Sequence, residues 1–277
     1  MENFIRLCKK LHSSEKSFGR SQGLSALSNI NTRTKIIATI AVFSALYGVI
    51  RLVPLGPMIG LSAYFSVSDS LAPLYGILLG PFTGGISIII GTVLGWLMGK
   101  PVSFLGLDFL AALVNTVAIG FLVKRKWKPV VILNVFLLAI NILSPYSLRM
   151  VEIPGVFYFP FFWMHIAALI VLISPLRSKA ISWIESLKST YIPWGVAILA
   201  FIGTMMQHLT GNLLWELVAG QPIGGLTAEG FNGLWTGIFF AYPVERSVLI
   251  IITVLLGTPL VRILKKSLFV DKNSNTA

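Results

Sequence analysis

Residues 65–95 read FSVSDSLAPLYGILLGPFTGGISIIIGTVLG, a mostly apolar stretch that Gly80-Pro81 interrupts near its middle. A Gly-Pro pair breaks a helix and favours a tight turn. Ser66-Val-Ser68-Asp69 precedes the apolar run, and Ser and Asp side chains accept hydrogen bonds from the free amides of a helix N-terminus. The stretch therefore predicts a short capped helix, a tight turn and a second helix, all following an irregular loop at Pro54–Ser66.

Small residues recur at every fourth position in two parts of the chain. Gly91 and Gly95 lie in the second predicted helix and Gly99 just past its end, while Ala41 and Ala45 lie in an earlier apolar run. Small residues at this spacing let a neighbouring backbone approach closely, either inside one bundle or from a partner helix. The spacing alone leaves both options open.

Eight apolar stretches follow one another, with an average length close to the roughly 20 residues that cross a bilayer. They are Ile36–Val53, Val67–Leu79, Phe82–Met98, Phe104–Val123, Val130–Ser144, Val156–Ile173, Ile192–Trp215 and Trp235–Leu264. Charged residues make up only 12% of the chain and the mean hydropathy is +0.83, whereas a soluble domain carries about twice that charge. We predict an all-α polytopic membrane protein, a compact bundle of six to eight transmembrane helices over residues 35–266. Residues 1–34 would form a basic cytoplasmic tail and linker, and residues 267–277 a second cytoplasmic tail.

The basic residues indicate an orientation. If every stretch crosses once, 18 of the 22 Lys and Arg fall on the side of the two termini, and Arg51, Lys100, Arg149 and Arg246 fall on the other. Basic loops stay cytoplasmic, which predicts a multi-pass protein of the cell membrane with both termini inside. The net charge of +12 also suits nucleic acid. Because these residues lie in short loops beside spans and contact anionic headgroups, we expect the lipid bilayer as their partner and no nucleic acid.

Several classes of chemistry lack their residues. One Cys and three His offer little for a zinc or haem site, so we expect neither a metal nor a cofactor. The sequence contains no HExxH and no GxxxxGK[ST] motif, so it does not hydrolyse ATP by the P-loop route. We expect no catalytic residues, and active transport would take its energy from a partner or an ion gradient.

Polar and aromatic residues concentrate at the predicted outer ends of the spans. His208, Asn212 and Glu216 follow an i, i+4, i+8 spacing, with Trp215 beside them. Aromatic walls with a few fixed polar groups are typical of a small-molecule pocket, although an interfacial aromatic belt with structural ion pairs would look similar. The candidate substrate-binding residues are His208, Asn212, Trp215, Glu216, Trp235, Tyr242, Asn141 and Arg149.

The order of these features resembles the substrate-binding S components of energy-coupling factor (ECF) transporters. The resemblance covers roughly residues 36–99 and 240–266, and its motifs are Ala41–Ala45, the VIRLVP segment at 49–54, residues 65–95 and the YPVERSVLIIITVLLGTPLVRILKK segment at 242–266. It implies a subunit that captures a vitamin or similar micronutrient from outside and docks on a transmembrane coupling subunit driven by two cytoplasmic ATPases. It also implies that Ala41 and Ala45 face the coupling subunit and that the Pro54–Phe65 loop gates the ligand. The family usually has six spans, and Val130–Ser144 with Val156–Ile173 would be the extra pair.

Two other classes of protein remain open. A stand-alone secondary transporter would have two halves with matching broken helices, but Gly80-Pro81 has only the Gly224–Gly233 loop as a counterpart. A polytopic membrane enzyme would use His208 and Glu216 as acid and base.

Overall fold

Helices make up 74% of the computed structural model, which describes residues 33–60, 63–153, 155, 157–186 and 190–274, with side chains described as far as residue 263. The predicted N-terminal tail lies almost entirely outside the described residues. The elements are α1 Arg33–Ile50, β1 Pro54–Pro57, β2 Tyr64–Ser66, a 3₁₀ turn Val67–Ser70, α2 Leu71–Leu97, α3 Phe109–Val123, α4 Trp127–Leu143, β3 Met150–Ile153, β4 Phe157–Pro160, α5 Trp163–Ile173, α6 Leu176–Glu185, α7 Ile192–Ala219 and α8 Ala228–Ser274.

The described helices are those of a membrane protein. Four are long and apolar enough to cross a bilayer: α1, α2 with its 3₁₀ turn, α7, and α8 as far as Ile263. Helices α5 and α6, bent by 69° at their junction, would together make a fifth. Helices α3 and α4 are apolar but have only 15 and 17 residues, fewer than the roughly 20 that a full crossing needs. Length and composition thus give four or five candidate spans, against the six to eight crossing helices that we predicted.

Helix α2 contains a sharp turn at Gly80-Pro81. Gly80 has φ 78° and ψ −179°, a conformation that favours glycine. A Cβ atom on Gly84 would lie 2.8 Å from the carbonyl oxygen of Tyr75, whereas nine residues of continuous helix span about 13 Å. The chain therefore doubles back here, which confirms the predicted tight turn.

The glycine and alanine spacings have different outcomes. Gly91 packs against the Ser44 carbonyl and Tyr47 of α1, so its small size serves packing inside the bundle. Ala41 and Ala45 are exposed on the side of α1 that faces away from α2. The same spacing thus serves an internal contact in one helix and lies on the surface in the other.

Three predicted segments differ from the structure. Val156–Ile173 is not one helical stretch, because β3 and β4 pair as an antiparallel ribbon and helix begins only at Trp163. The aromatic residues of β4 favour a strand, and Gly155 (φ 73°) supports the turn before it. In the Phe104–Val123 stretch the helix starts at Phe109, because the Asp108 carboxylate accepts hydrogen bonds from the amides of residues 103 and 104 and holds a turn there. Pro54–Ser66 forms a β1–β2 ribbon rather than an irregular loop.

Helix α7 occupies the centre of the bundle and packs against α2, α3, α4, α5, α6 and α8. One end of the bundle, here called the basic end, carries the basic turn between α3 and α4. There Arg125 pairs with Glu185 at 2.6 Å and the Arg177 guanidinium lies 4.2 Å from the centre of the Trp127 ring. The other end carries the candidate site.

Candidate functional site

A cavity of about 120 Å³ lies between the second half of α7 and the middle of α8. The β1–β2 ribbon covers it, and this ribbon, residues 54–66 without the undescribed 61 and 62, is called the roof. Five of the eight predicted substrate-binding residues line the cavity: His208, Asn212, Trp215, Trp235 and Tyr242. The roof residues that line it include Pro57, Met58, Ile59, Tyr64 and Phe65. The structure thus brings together most of the predicted site and the predicted gating loop.

Glu216, Asn141 and Arg149, the other three predicted residues, lie outside the cavity lining. Eight residues of α-helix rotate the Glu216 side chain about 80° away from that of His208. Glu216 accepts a 2.5 Å hydrogen bond from the Ser144 hydroxyl instead. Asn141 donates hydrogen bonds to the carbonyls of Leu137 and Leu209 and ties α4 to α7. Arg149 is exposed and donates to the Ile142 carbonyl.

His208 belongs to a stacked cluster of rings behind the cavity. Its Nδ1 lies 2.9 Å from Nε2 of His165, and the two rings stack with centroids 5.1 Å apart. The Tyr242 ring stacks on His208 at 4.9 Å, and its hydroxyl donates to the Phe161 carbonyl. Sequence reasoning missed His165, although a lone histidine within an apolar stretch was the signal that would have found it.

Two tryptophans form one wall of the cavity. The rings of Trp215 and Trp235 meet edge to face with centroids 4.6 Å apart. The Nε1–H of Trp235 donates to the Tyr146 carbonyl at 2.8 Å, which anchors this ring to the segment after α4. The wall therefore presents two aromatic rings, of which Trp235 is fixed by a hydrogen bond.

Six charged residues also line the cavity, and none was among the predicted site residues. Arg51 lies 3.6 Å from Asp108, and Arg246 lies 2.6 Å from Glu245. The remaining two are Lys100 and Asp69. The sequence did contain a signal, because the cations are three of the four basic residues assigned to the sparsely charged side.

Lys100 contacts the roof at Tyr64. Its Nζ donates to the Tyr64 carbonyl at 2.9 Å and lies 3.4 Å from the centre of the Tyr64 ring. Burial and, to a smaller extent, the nearby Arg51 guanidinium lower the pKa of Lys100 to about 8, against the opposing effect of Asp69 and Asp108. Part of the Lys100 population is therefore neutral just above physiological pH.

A buried chain of polar groups fixes the end of the roof to the helices. Asp69 accepts from the Ser66 amide, and the Ser66 hydroxyl accepts from the Ser68 amide. The sequence predicted side-chain caps here, and the structure joins them into a reciprocal cap. The other Asp69 oxygen accepts from Nε2 of Gln207 at 2.9 Å, and Oε1 of Gln207 accepts from Nδ2 of Asn115 at 2.8 Å. The chain joins the roof to α7 and α3.

The site is suited to binding a small molecule by shape, ring contacts and hydrogen bonds. Among the described residues, no group of three or more His, Cys, Asp and Glu side chains is arranged to hold a metal ion.

The comparisons with known proteins give one distant relative. An uncharacterized protein of Methanocaldococcus jannaschii is 25% identical to this chain over 158 residues, which is 57% of this chain and 50% of that protein. The chain thus matches about half the length of this relative. No protein-family model matches the chain, and no solved structure matches it.

Proposed function

We propose that this protein is the substrate-binding subunit of an ECF-type importer. It captures a vitamin or similar small micronutrient from outside the cell and delivers it with a separate coupling subunit and two ATPases. The observation that carries the proposal is a cavity with aromatic walls and a roof, at the end of the bundle opposite the basic turn at residues 124–128. By the positive-inside rule this end faces outward.

Helix α1 supports the second half of the proposal. Only 17% of its span is buried inside the bundle, and Ala41 and Ala45 are exposed on it. A small-residue stripe on the surface permits the close approach of another helix. This is the position that a docking face for a coupling subunit requires.

The span count follows from the turn in α2. We propose eight membrane segments, with α2 forming two of them on either side of Gly80 and the short α3, α4 and α5 contributing one each. An even number of segments places both termini on the cytoplasmic side, in agreement with the distribution of basic residues.

Co-purification tests the proposed assembly. The tagged full-length chain, purified from its own cells, is expected to retain two ATPases and a membrane subunit. Ala41→Trp/Ala45→Trp is expected to abolish this complex, because the added bulk prevents close helix contact, while leaving the thermal unfolding of the purified protein unchanged. Leu46→Trp, at a half-exposed position about 140° from Ala41 around the helix, is the control and is expected to retain the complex. Purification of the wild type without ATPases, together with solute uptake by this chain alone in liposomes, would favour a secondary transporter.

Cysteine labelling tests the orientation. In a Cys8→Ser background, Gly230→Cys places one thiol on the exposed start of α8, at the cavity end. An impermeant maleimide is expected to label intact cells. Labelling only after permeabilisation would place the cavity inside and refute the proposal.

A further inference from the structure

We infer that the cavity selects a small planar solute that carries an anionic group, such as a carboxylate. This inference rests on the proposed solute-binding function and narrows it to one class of ligand. It comes from the hydrogen-bonding state of the cavity wall.

Four side-chain nitrogens in the wall are buried and lack a hydrogen-bond partner among the described residues. They are Nε of Arg51, Nε of Arg246, Nδ2 of Asn212 and Nε1 of Trp215. All four residues are at most 6% exposed. Each of these nitrogens carries a hydrogen to donate and accepts nothing.

The carboxylates of the wall, in contrast, already accept hydrogen bonds or pair with cations of the protein. Asp108 accepts from the amides of residues 103 and 104 and pairs with Arg51. Asp69 accepts from the Ser66 amide and from Gln207, and Glu245 accepts from Arg246. The protein itself thus supplies donors to its acidic groups, whereas the unmatched groups in the wall are donors. Buried polar groups are normally paired, so the complementary ligand supplies acceptors.

The arrangement of the two arginines favours an anion over a neutral acceptor. In each, the contact to the neighbouring carboxylate is made by Nη2, and Nε is the unpartnered nitrogen. A guanidinium binds a carboxylate through two adjacent N–H groups. A cationic ligand would meet carboxylates that already have donors, together with three cations of the wall. The wall holds three cations and three carboxylates, and its buried unpartnered atoms are donors, so these atoms favour an acceptor over an ammonium group.

The test uses acids with neutral and cationic counterparts of the same shape. Benzoate is compared with benzamide and benzylamine, and indole-3-acetate with indole-3-acetamide and tryptamine. Binding to the purified full-length protein is followed by thermal unfolding and by quenching of tryptophan fluorescence. At least one acid is expected to bind tenfold or more tightly than its amide, and its amine is expected to bind more weakly still.

Matched variants assign the preference to the wall. Arg246→Gln/Glu245→Gln removes the ion pair as a unit, so that no buried carboxylate is left unpaired, and is expected to abolish the acid-over-amide preference. Trp215→Phe removes an unpartnered donor and is expected to weaken acid binding about tenfold with little change in unfolding temperature. Trp235→Phe removes a donor that already serves the Tyr146 carbonyl. It is expected to lower the unfolding temperature and retain the preference for acids.

Two results would overturn the inference. If amides or amines bind as tightly as the acids, the anionic class is wrong while the proposed solute-binding function stands. If no acid binds, the inference also fails, and the co-purification with ATPases then decides separately whether the proposed function fails with it.

Discussion

Helices α1 and α7 both qualify as membrane spans, yet they have opposite surroundings. Inside the bundle 17% of α1 is buried, against 72% of α7. Both helices carry residues of one kind at four-residue spacing, small ones in α1 and polar ones in α7. The difference shows that the spacing predicts which residues share a face, while the position of the helix in the bundle decides what that face contacts.

The neighbours of the two helices explain how each is stabilised. Helix α1 packs mainly on α2, through Ser44, Tyr47 and Gly48. Helix α7 has six neighbouring helices and makes buried side-chain hydrogen bonds with three of them: through Gln207 with α3, through His208 with α5, and through the Leu209 carbonyl with Asn141 of α4. Substitutions in α7 should therefore have larger effects on stability than substitutions in α1.

The largest effect is expected at Gly203 of α7. A Cβ atom here would collide with the amide of Asn115, which is held by its hydrogen bond to Gln207. Gly203→Leu is expected to destabilise the protein by about 3 kcal/mol or more, because a packed core does not accept added atoms without strain. Thermal unfolding of the purified protein measures this. Gly211→Ala, on the same helix with open space around it, is the control; an equal loss there would mean that α7 tolerates no change at all.

The next largest effect is expected for the histidine pair. His165→Ala and His208→Ala each leave a buried ring nitrogen without its partner, which costs about 1–3 kcal/mol. The double variant is expected to cost clearly less than the sum of the single ones, since neither partner is then left unpaired. A double-mutant cycle on unfolding free energies measures this coupling. Strict additivity would show that the 2.9 Å contact contributes no energy.

A smaller effect is expected on α1. Gly48→Leu brings a side chain against the Gly91 carbonyl and Leu94, and is expected to cost about 1–2 kcal/mol because a helix with one main neighbour shifts more easily than a central one. Ala45→Leu on the exposed side should be nearly neutral in thermal unfolding. If Ala45→Leu were the more damaging of the two, α1 would face the bundle the other way.

The smallest effect near neutral pH concerns Lys100, which neither helix contains. With a folded-state pKa of about 8 and an ordinary unfolded value of 10.5, the unfolded chain binds more protons between these limits. The unfolding free energy of the wild type relative to Lys100→Met should therefore be constant below about pH 7 and rise with pH from about 8 to 10.5. Unfolding at a series of pH values measures the difference. A decrease over that window would mean that the charged form of Lys100 is stabilised in the folded protein.

Much of the helical organisation was predictable. The turn at Gly80, the cap at Ser66 and the five cavity residues on α7 and α8 follow from local chemistry and helical period. Glu216 was misplaced because a four-residue spacing drifts around a helix of 3.6 residues per turn. The ribbon β3–β4 was missed because a short apolar run with aromatics fits either a strand or a helix.

The charged part of the site was harder to predict. Arg51, Lys100 and Arg246 come from three separate segments, and no periodicity connects residues that only the tertiary fold brings together. The sequence did place all three on the same predicted side of the membrane. That grouping was used only to orient the protein, although the same residues also line the cavity.

The chain of hydrogen bonds from Asp69 through Gln207 to Asn115 limits where the roof can bend relative to the helices. Swinging the 3₁₀ turn with the roof would break the hydrogen bond between Asp69 and Gln207, and would leave Nε2 of Gln207 and one Asp69 oxygen unpaired in a medium of low polarity. A bending point before Asp69, near the cap residue Ser66, would let the ribbon move while the start of α2 stays in place. Under the proposed function, entry of a solute would then require the rearrangement of about a dozen residues and leave the packing of α2, α3 and α7 unchanged.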